Sequence, residues 1–149
     1  MPQSFGSLHV HIVFSTKHRQ PLIKPDWQPR LFESIGGILR NNSCALIAAG
    51  GTADHAHLLV SLSRTLAVAD ALRQIKSNSS GWIHDALSLP HFQWQEGYGA
   101  FAVSYSNLDQ LKSYLANQEQ HHHRLSFQDE FRELLRRHDL EWDEQYIWD

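Results

Sequence analysis

From Leu8 to Ser15 the chain alternates, with Leu8, Val10, Ile12 and Phe14 on one side. A period of two predicts a strand lying over a core. Lys17 to Pro25 reads as a polar loop. Trp27, Leu31, Ile35, Ile38 and Leu39 then recur at helical spacing and predict a helix over about 26–41. Gly36-Gly37 weakens that helix without breaking it. Ala45 to Ala49 reads as a short strand stopped by Gly50-Gly51, and residues 55–62 as the next strand. The short gap makes the two antiparallel neighbours. Val68, Leu72 and Ile75 mark a second helix over about 67–84. Residues 92–105 alternate loosely through aromatic positions and two glycines, which predicts one or two strands. Ser106 can cap a helix over about 107–122, with Leu108, Leu111 and Leu115 as its buried stripe, and Ser126 can start another over about 127–138.

The order is βαββαβ with further helices at the C-terminus. It predicts an α+β fold of ferredoxin-like (RRM-like) type, an antiparallel sheet with helices on one face. No internal repeat or long linker interrupts it, so residues 1–149 read as a single domain.

Two fragments carry candidate chemistry. The first is Asp54-His55-Ala56-His57-Leu58-Leu59-Val60. On a strand, His55 and His57 point one way, while Ala56, Leu58 and Val60 point to the core. Two imidazoles at that spacing can share one metal ion. Imidazole with oxygen donors suits Mn²⁺, or Mg²⁺ when oxygens dominate. Asp54, on the other pleat, is a candidate to orient one of the rings. The same spacing is common on ordinary sheet surfaces, and His9 and His11 repeat it, so the geometry alone leaves both pairs open.

The second fragment is Tyr114-Leu115-Ala116-Asn117-Gln118. Tyr114 and Gln118 lie one helical turn apart at the edge of the leucine stripe. His121 falls two turns beyond Tyr114 and His122 one turn beyond Gln118, within a run of three histidines that can equally be a solvated helix end. A phenol is a weak nucleophile until a base or cation assists it. A metal ion on a phosphate would supply that Lewis acidity, with Gln118 as a third, weak oxygen ligand.

Composition limits the partners. Apolar residues make up 42% and charged residues 19%, an ordinary globular balance. The formal charge is −3 and the pI about 6.4, against a strongly basic nucleic-acid binder. Local clusters can still contact phosphate, and eleven histidines soften the formal value. The candidate contacts are Lys17 and Arg19 after the first strand, and Arg73 and Lys76 one turn apart on the second helix. Phe92, Trp94 and Tyr98 are candidates either to stack unpaired bases or to pack in the core. No apolar run reaches the length of a membrane span, and Met1-Pro2-Gln3-Ser4 does not look like a signal peptide. The single cysteine, Cys44, fits a reducing cytoplasm.

With both fragments in place, the sequence resembles the single-tyrosine HUH transposases of the IS200-like class, nearest to the short single-domain or REP-associated type. The resemblance runs over nearly the whole chain: His9-Val10-His11-Ile12-Val13-Phe14-Ser15-Thr16-Lys17-His18-Arg19, Ala53 to Leu59, Gly97-Tyr98-Gly99-Ala100-Phe101-Ala102-Val103-Ser104, Tyr114 to His122, and the ending Asp143 to Asp149. It implies a ferredoxin-like domain that dimerises, often by joining two sheets. His55 and His57 match the HUH pair, Gln118 the third metal ligand and Tyr114 the nucleophile, with Ala56 the small apolar residue between the histidines. The implied substrate is single-stranded DNA near an imperfect hairpin, at insertion-element ends or REP-like repeats. The implied cleavage needs Mg²⁺ or Mn²⁺ and no nucleotide cofactor. It leaves a 5′-phosphotyrosine and a free 3′-OH, and its reversal joins strands. The implied setting is a prokaryotic cytoplasm, in action at the nucleoid.

Two rival functions share these residues. One is a hairpin-DNA-binding regulator that keeps the fold but does not cut. The other is a metallonuclease in which His55, His57 and His121 or His122 activate water.

Overall fold

The computed structural model describes residues 2–149. Their order is β1 (His9–Ser15), a 3₁₀ turn (Lys17–Arg19), α1 (Gln28–Asn41), β2 (Ala45–Thr52), β3 (His55–Ser61), α2 (Val68–Ala86), β4 (Gly99–Val103), a second 3₁₀ turn (Tyr105–Asn107), α3 (Leu108–Ala116), α4 (Gln118–His122) and α5 (Phe127–Arg137). The four strands form one sheet in the order β2-β3-β1-β4, and every neighbouring pair is antiparallel. That is the α+β, ferredoxin-like arrangement expected from the element order.

The period-two pattern sorts the strand residues between two helical layers. Ile12, Phe14, Leu58 and Val60 join Leu31, Ile35 and Leu39 of α1 and Leu72, Ile75 and Ile83 of α2 in the main core. The alternate residues face the C-terminal helices. There, Leu59 packs with Leu108 and Leu115 of α3, while Val13 and Phe101 pack with Phe127, Phe131 and Leu135 of α5. A polar seam lies between these two small clusters. Ser126 accepts from the Asp129 amide at 3.1 Å and caps α5. Trp142, Ile147 and Trp148 close over the α5 cluster, and the Asp149 carbonyl accepts from the Gly97 amide at 2.9 Å.

Two local expectations need correction. First, β2 does not stop at Gly50-Gly51 but runs through both to Thr52. A Cβ on Gly50 would collide with the Leu115 carbonyl, so this glycine marks where the end of α3 lies against the strand. Second, the helix expected over 107–122 is broken. Asn117, at φ −106° and ψ 22°, separates α3 from α4, and Ser106 lies in a 3₁₀ turn without capping α3. Of the one or two strands expected over residues 92–105, one forms, at Gly99–Val103, and Trp94 makes a single bridge to Thr16. Phe92 and Trp94 belong to the main core, where the Trp94 indole donates to Ser79 Oγ at 2.9 Å. Tyr98 keeps an exposed edge.

Candidate functional site

β3 turns His55 and His57 towards the C-terminal helices because Leu58 and Val60 occupy the opposite face. Both rings are buried, at 1% and 0% exposure. Each is held at Nδ1. For His55 the partners are Asp54 Oδ1 at 2.8 Å and Thr52 Oγ1 at 3.1 Å. For His57 the partner is His11 Nε2 at 2.8 Å. Both rings therefore present Nε2 to the seam. His11 stands behind His57 as its support, and Asp54 fixes His55.

Gly50 lies opposite His57 in the sheet register, on the same face. The close approach of the Leu115 backbone at this glycine brings Tyr114 and Gln118 against the histidines. Gln118 Oε1 lies 3.1 Å from His55 Nε2 and 3.1 Å from His122 Nε2. The Tyr114 ring meets the His57 ring edge-on, 5.9 Å between centroids.

Glu130 of α5 completes the cluster, and sequence reasoning missed it. Its Oε1 lies 2.9 Å from His57 Nε2 and 3.1 Å from His122 Nε2. Its Oε2 accepts from the Tyr114 hydroxyl and, at 3.2 Å, from Gln118 Nε2. His121 Nε2 lies 3.3 Å from both the Tyr114 hydroxyl and Glu130 Oε2. A signal for Glu130 was present in the sequence. With Phe127, Phe131 and Leu134 it occupies one helical stripe, so α5 buries a carboxylate on its apolar face.

The charges follow from these contacts. Burial works against the Glu130 charge, but hydrogen bonds from His122, His57 and Tyr114 hold the carboxyl well below the usual carboxylate range. Burial, reinforced by the Glu130 charge, pushes the Tyr114 phenol well above its ordinary value. Burial lowers His57 despite Glu130 and drives His11 down to about 3. For His122 burial is outweighed by Glu130, and its value rises.

Donors from His55, His57, His122 and Glu130 lie within 4.8 Å of one another. Asp54 and the Leu125 carbonyl assign a proton to Nδ1 of His55 and of His122 respectively. Their Nε2 atoms lie against oxygens of Gln118 and Glu130, and a donor set of imidazole, amide and carboxylate oxygen suits a divalent ion such as Mn²⁺ or Mg²⁺.

The four basic residues expected at phosphate do not converge. Lys17 follows β1 and lies 3.8 Å from Glu96 Oε1. The Arg19 guanidinium sits 5.5 Å over the Trp148 ring. Arg73 is exposed on α2, across the sheet from the histidines, and pairs with Asp70 at 3.0 Å. Lys76 Nζ donates to the carbonyls of Gln95, Glu96 and Gly97 at 2.9, 3.0 and 2.6 Å. An ammonium has three donors, so Lys76 straps the 95–97 segment and keeps none for phosphate. A cleft of about 1050 Å³ opens instead on the C-terminal face, where Arg124, Arg137, His123 and His138 surround Tyr114 and His121. Among the described residues no helix is long and apolar enough to cross a membrane.

No curated protein matches the chain. Solved structures that share its fold include two transposases. One is a provisionally assigned transposase from Deinococcus radiodurans R1, at 24% identity and TM-score 0.62, covering 79% of this chain and 98% of that one. The other is a REP-associated tyrosine transposase solved bound to a REP hairpin, at 16% identity and TM-score 0.56, covering 78% of this chain and 70% of that one. Residues 4–118 match the family described as "Transposase IS200 like". With more than half of its length matched, the chain belongs to the IS200-like transposase family.

Proposed function

We propose that the protein cleaves and rejoins single-stranded DNA at hairpin-flanked sites, with Tyr114 as nucleophile and a divalent cation at His55, His57 and Gln118. The contact that carries this reading is the Tyr114 hydroxyl on Glu130, whose other oxygen meets His57 Nε2. A phenol is thereby held beside the buried imidazoles, at the edge of a cleft of about 1050 Å³. The cation, Mg²⁺ or Mn²⁺, would supply Lewis acidity at the scissile phosphate.

The remaining steps belong to this chain. Tyr114 gives up its hydroxyl proton, with His121 Nε2 and Glu130 Oε2 both in contact with that oxygen. The phenolate oxygen bonds to phosphorus, the bond from phosphorus to the 3′ oxygen breaks, and that oxygen takes a proton as it leaves. The products are a 5′-phosphotyrosine and a free 3′-OH. Attack by a 3′-OH reverses the step and joins strands with no nucleotide cofactor. His55, set by Asp54, and His57, set by His11, would hold the cation through their Nε2 atoms.

Hairpin DNA as partner is supported by the fold shared with a transposase solved on a REP hairpin. Residues 1–149 act as one domain in this reading, as a homodimer in a prokaryotic cytoplasm. Lys17 and Arg19, at the sheet end beside His55, are the better placed of the four basic candidates.

A second reading has one observation in its favour: His122 joins the cluster, as a water-using metallonuclease would need. One experiment separates the readings. Labelled single-stranded oligonucleotides from the gene's own flanks are incubated with protein and Mn²⁺ or Mg²⁺, then run on a denaturing gel. The proposal expects a slow covalent species, lost by about 10³-fold or more in Tyr114→Phe while binding persists. Cleavage that persists in Tyr114→Phe means a water nucleophile, and binding without any cleavage means a silent regulator.

A further inference from the structure

We propose that Glu130 is itself a ligand of the cation and the positioning residue for the nucleophile, its carboxylate bridging the two: Oε1 to the cation, Oε2 to the Tyr114 hydroxyl. This rests on the metal-dependent tyrosine reading above and adds to it a residue that lies beyond the segment, 4–118, matched to the family.

Three observations converge. Glu130 is 2% exposed, on the stripe of α5 that otherwise buries Phe127, Phe131 and Leu135. An ionised carboxylate in such a place costs several kcal/mol unless it is well paired. Its neighbours are not lysine or arginine but four imidazoles, a carboxamide and a phenol, all groups of the candidate site. Its two oxygens also divide the work. Oε1 faces His57 Nε2 and His122 Nε2, the atoms that with His55 Nε2 surround the cation position. Oε2 faces the Tyr114 hydroxyl and the Gln118 amide nitrogen. An ion taken up among the imidazoles therefore meets Oε1 with no change in the tyrosine contact.

A carboxylate also changes the character of the site. A ligand set of two imidazoles and a neutral amide offers a hard cation no negative charge. Exchanging or supplementing the amide with Glu130 supplies one, which favours Mn²⁺ and Mg²⁺. α5 is fixed for this task by the Ser126 cap and by Trp148, whose ring lies 6.4 Å from Phe127 and 6.1 Å from Phe131.

The test is calorimetric titration of the full chain with MnCl₂, in wild type and in Glu130→Gln, which keeps the shape and removes the charge. Binding should weaken about tenfold or more in the variant. Wild-type crystals soaked in MnCl₂ should show an anomalous peak bonded to the Glu130 carboxylate, a readout that does not depend on the variant folding. Unchanged Mn²⁺ affinity in a folded Glu130→Gln overturns the inference. So does a peak on His55, His57 and Gln118 with the carboxylate turned away. In either case a wild-type tyrosine adduct leaves the functional reading standing. A wild type that neither binds Mn²⁺ nor forms the adduct removes both.

Discussion

On one face of the sheet, Phe14 and Leu58 meet Leu31, Ile35, Leu72 and Ile75 in an apolar layer. On the other face, His55 and His57 of the same β3 meet Gln118 and Glu130, with His11 behind them. One period of two along β3 thus feeds both layers, and alternate residues of a single strand divide stability from chemistry. The polar layer survives burial because its members satisfy one another. Among the described residues, no buried side-chain nitrogen or oxygen lacks a hydrogen-bond partner. A register slip of one residue in β3 would put the histidines into the apolar layer and Leu58 into the seam.

The contrast is broken most severely from the apolar side. Phe14→Ala empties a fully buried ring position and should cost about 3–5 kcal/mol in urea denaturation, while the folded fraction keeps its Mn²⁺ affinity. Gly50→Ala should cost about 1–3 kcal/mol, because the new methyl group displaces the Leu115 carbonyl. Unlike the first variant, it should also lower adduct yield in the folded protein, since Tyr114 and Gln118 move with that carbonyl.

A pH series sharpens the same contrast. The folded Glu130 carboxyl lies below its unfolded value of about 4.3. Its pairing therefore contributes stability above that pH and loses it as the pH falls below. Denaturation of metal-free protein between pH 6 and about pH 3 should show a shallower acid limb in Glu130→Gln than in wild type. The smallest effect expected is that of Ser126→Ala. It removes the cap of α5 at a cost of about 1 kcal/mol and should loosen Glu130 enough to slow adduct formation measurably.

The strands, α1 and α2 were legible because their periodicity is strong and uninterrupted. The same alternation puts His55 and His57 on one face. The C-terminal half was harder to read. Gly50-Gly51 looked like the end of a strand, because a glycine pair in sequence cannot show whether a turn or a neighbouring backbone requires it. Asn117 looked like one residue of a continuous helix, although asparagine readily ends one. Tyr114 and Gln118 still converge across that break, both on Glu130 Oε2. Glu130 was hidden because α5 is amphipathic with or without it, and only the carboxylate on the apolar stripe betrays it. Lys76 shows the opposite failure: a basic residue one turn from another suggested phosphate, but its acceptors are backbone carbonyls from 95–97 that no local pattern reveals.

The most direct measurement identifies the atom that carries the DNA. The covalent species formed with Mn²⁺ is digested with nuclease and trypsin, and the peptide bearing the remaining nucleotide is sequenced by mass spectrometry. The account predicts a nucleotide joined through its 5′-phosphate to Tyr114. A nucleotide on any other residue, or efficient cleavage with no nucleotide on the protein, contradicts it.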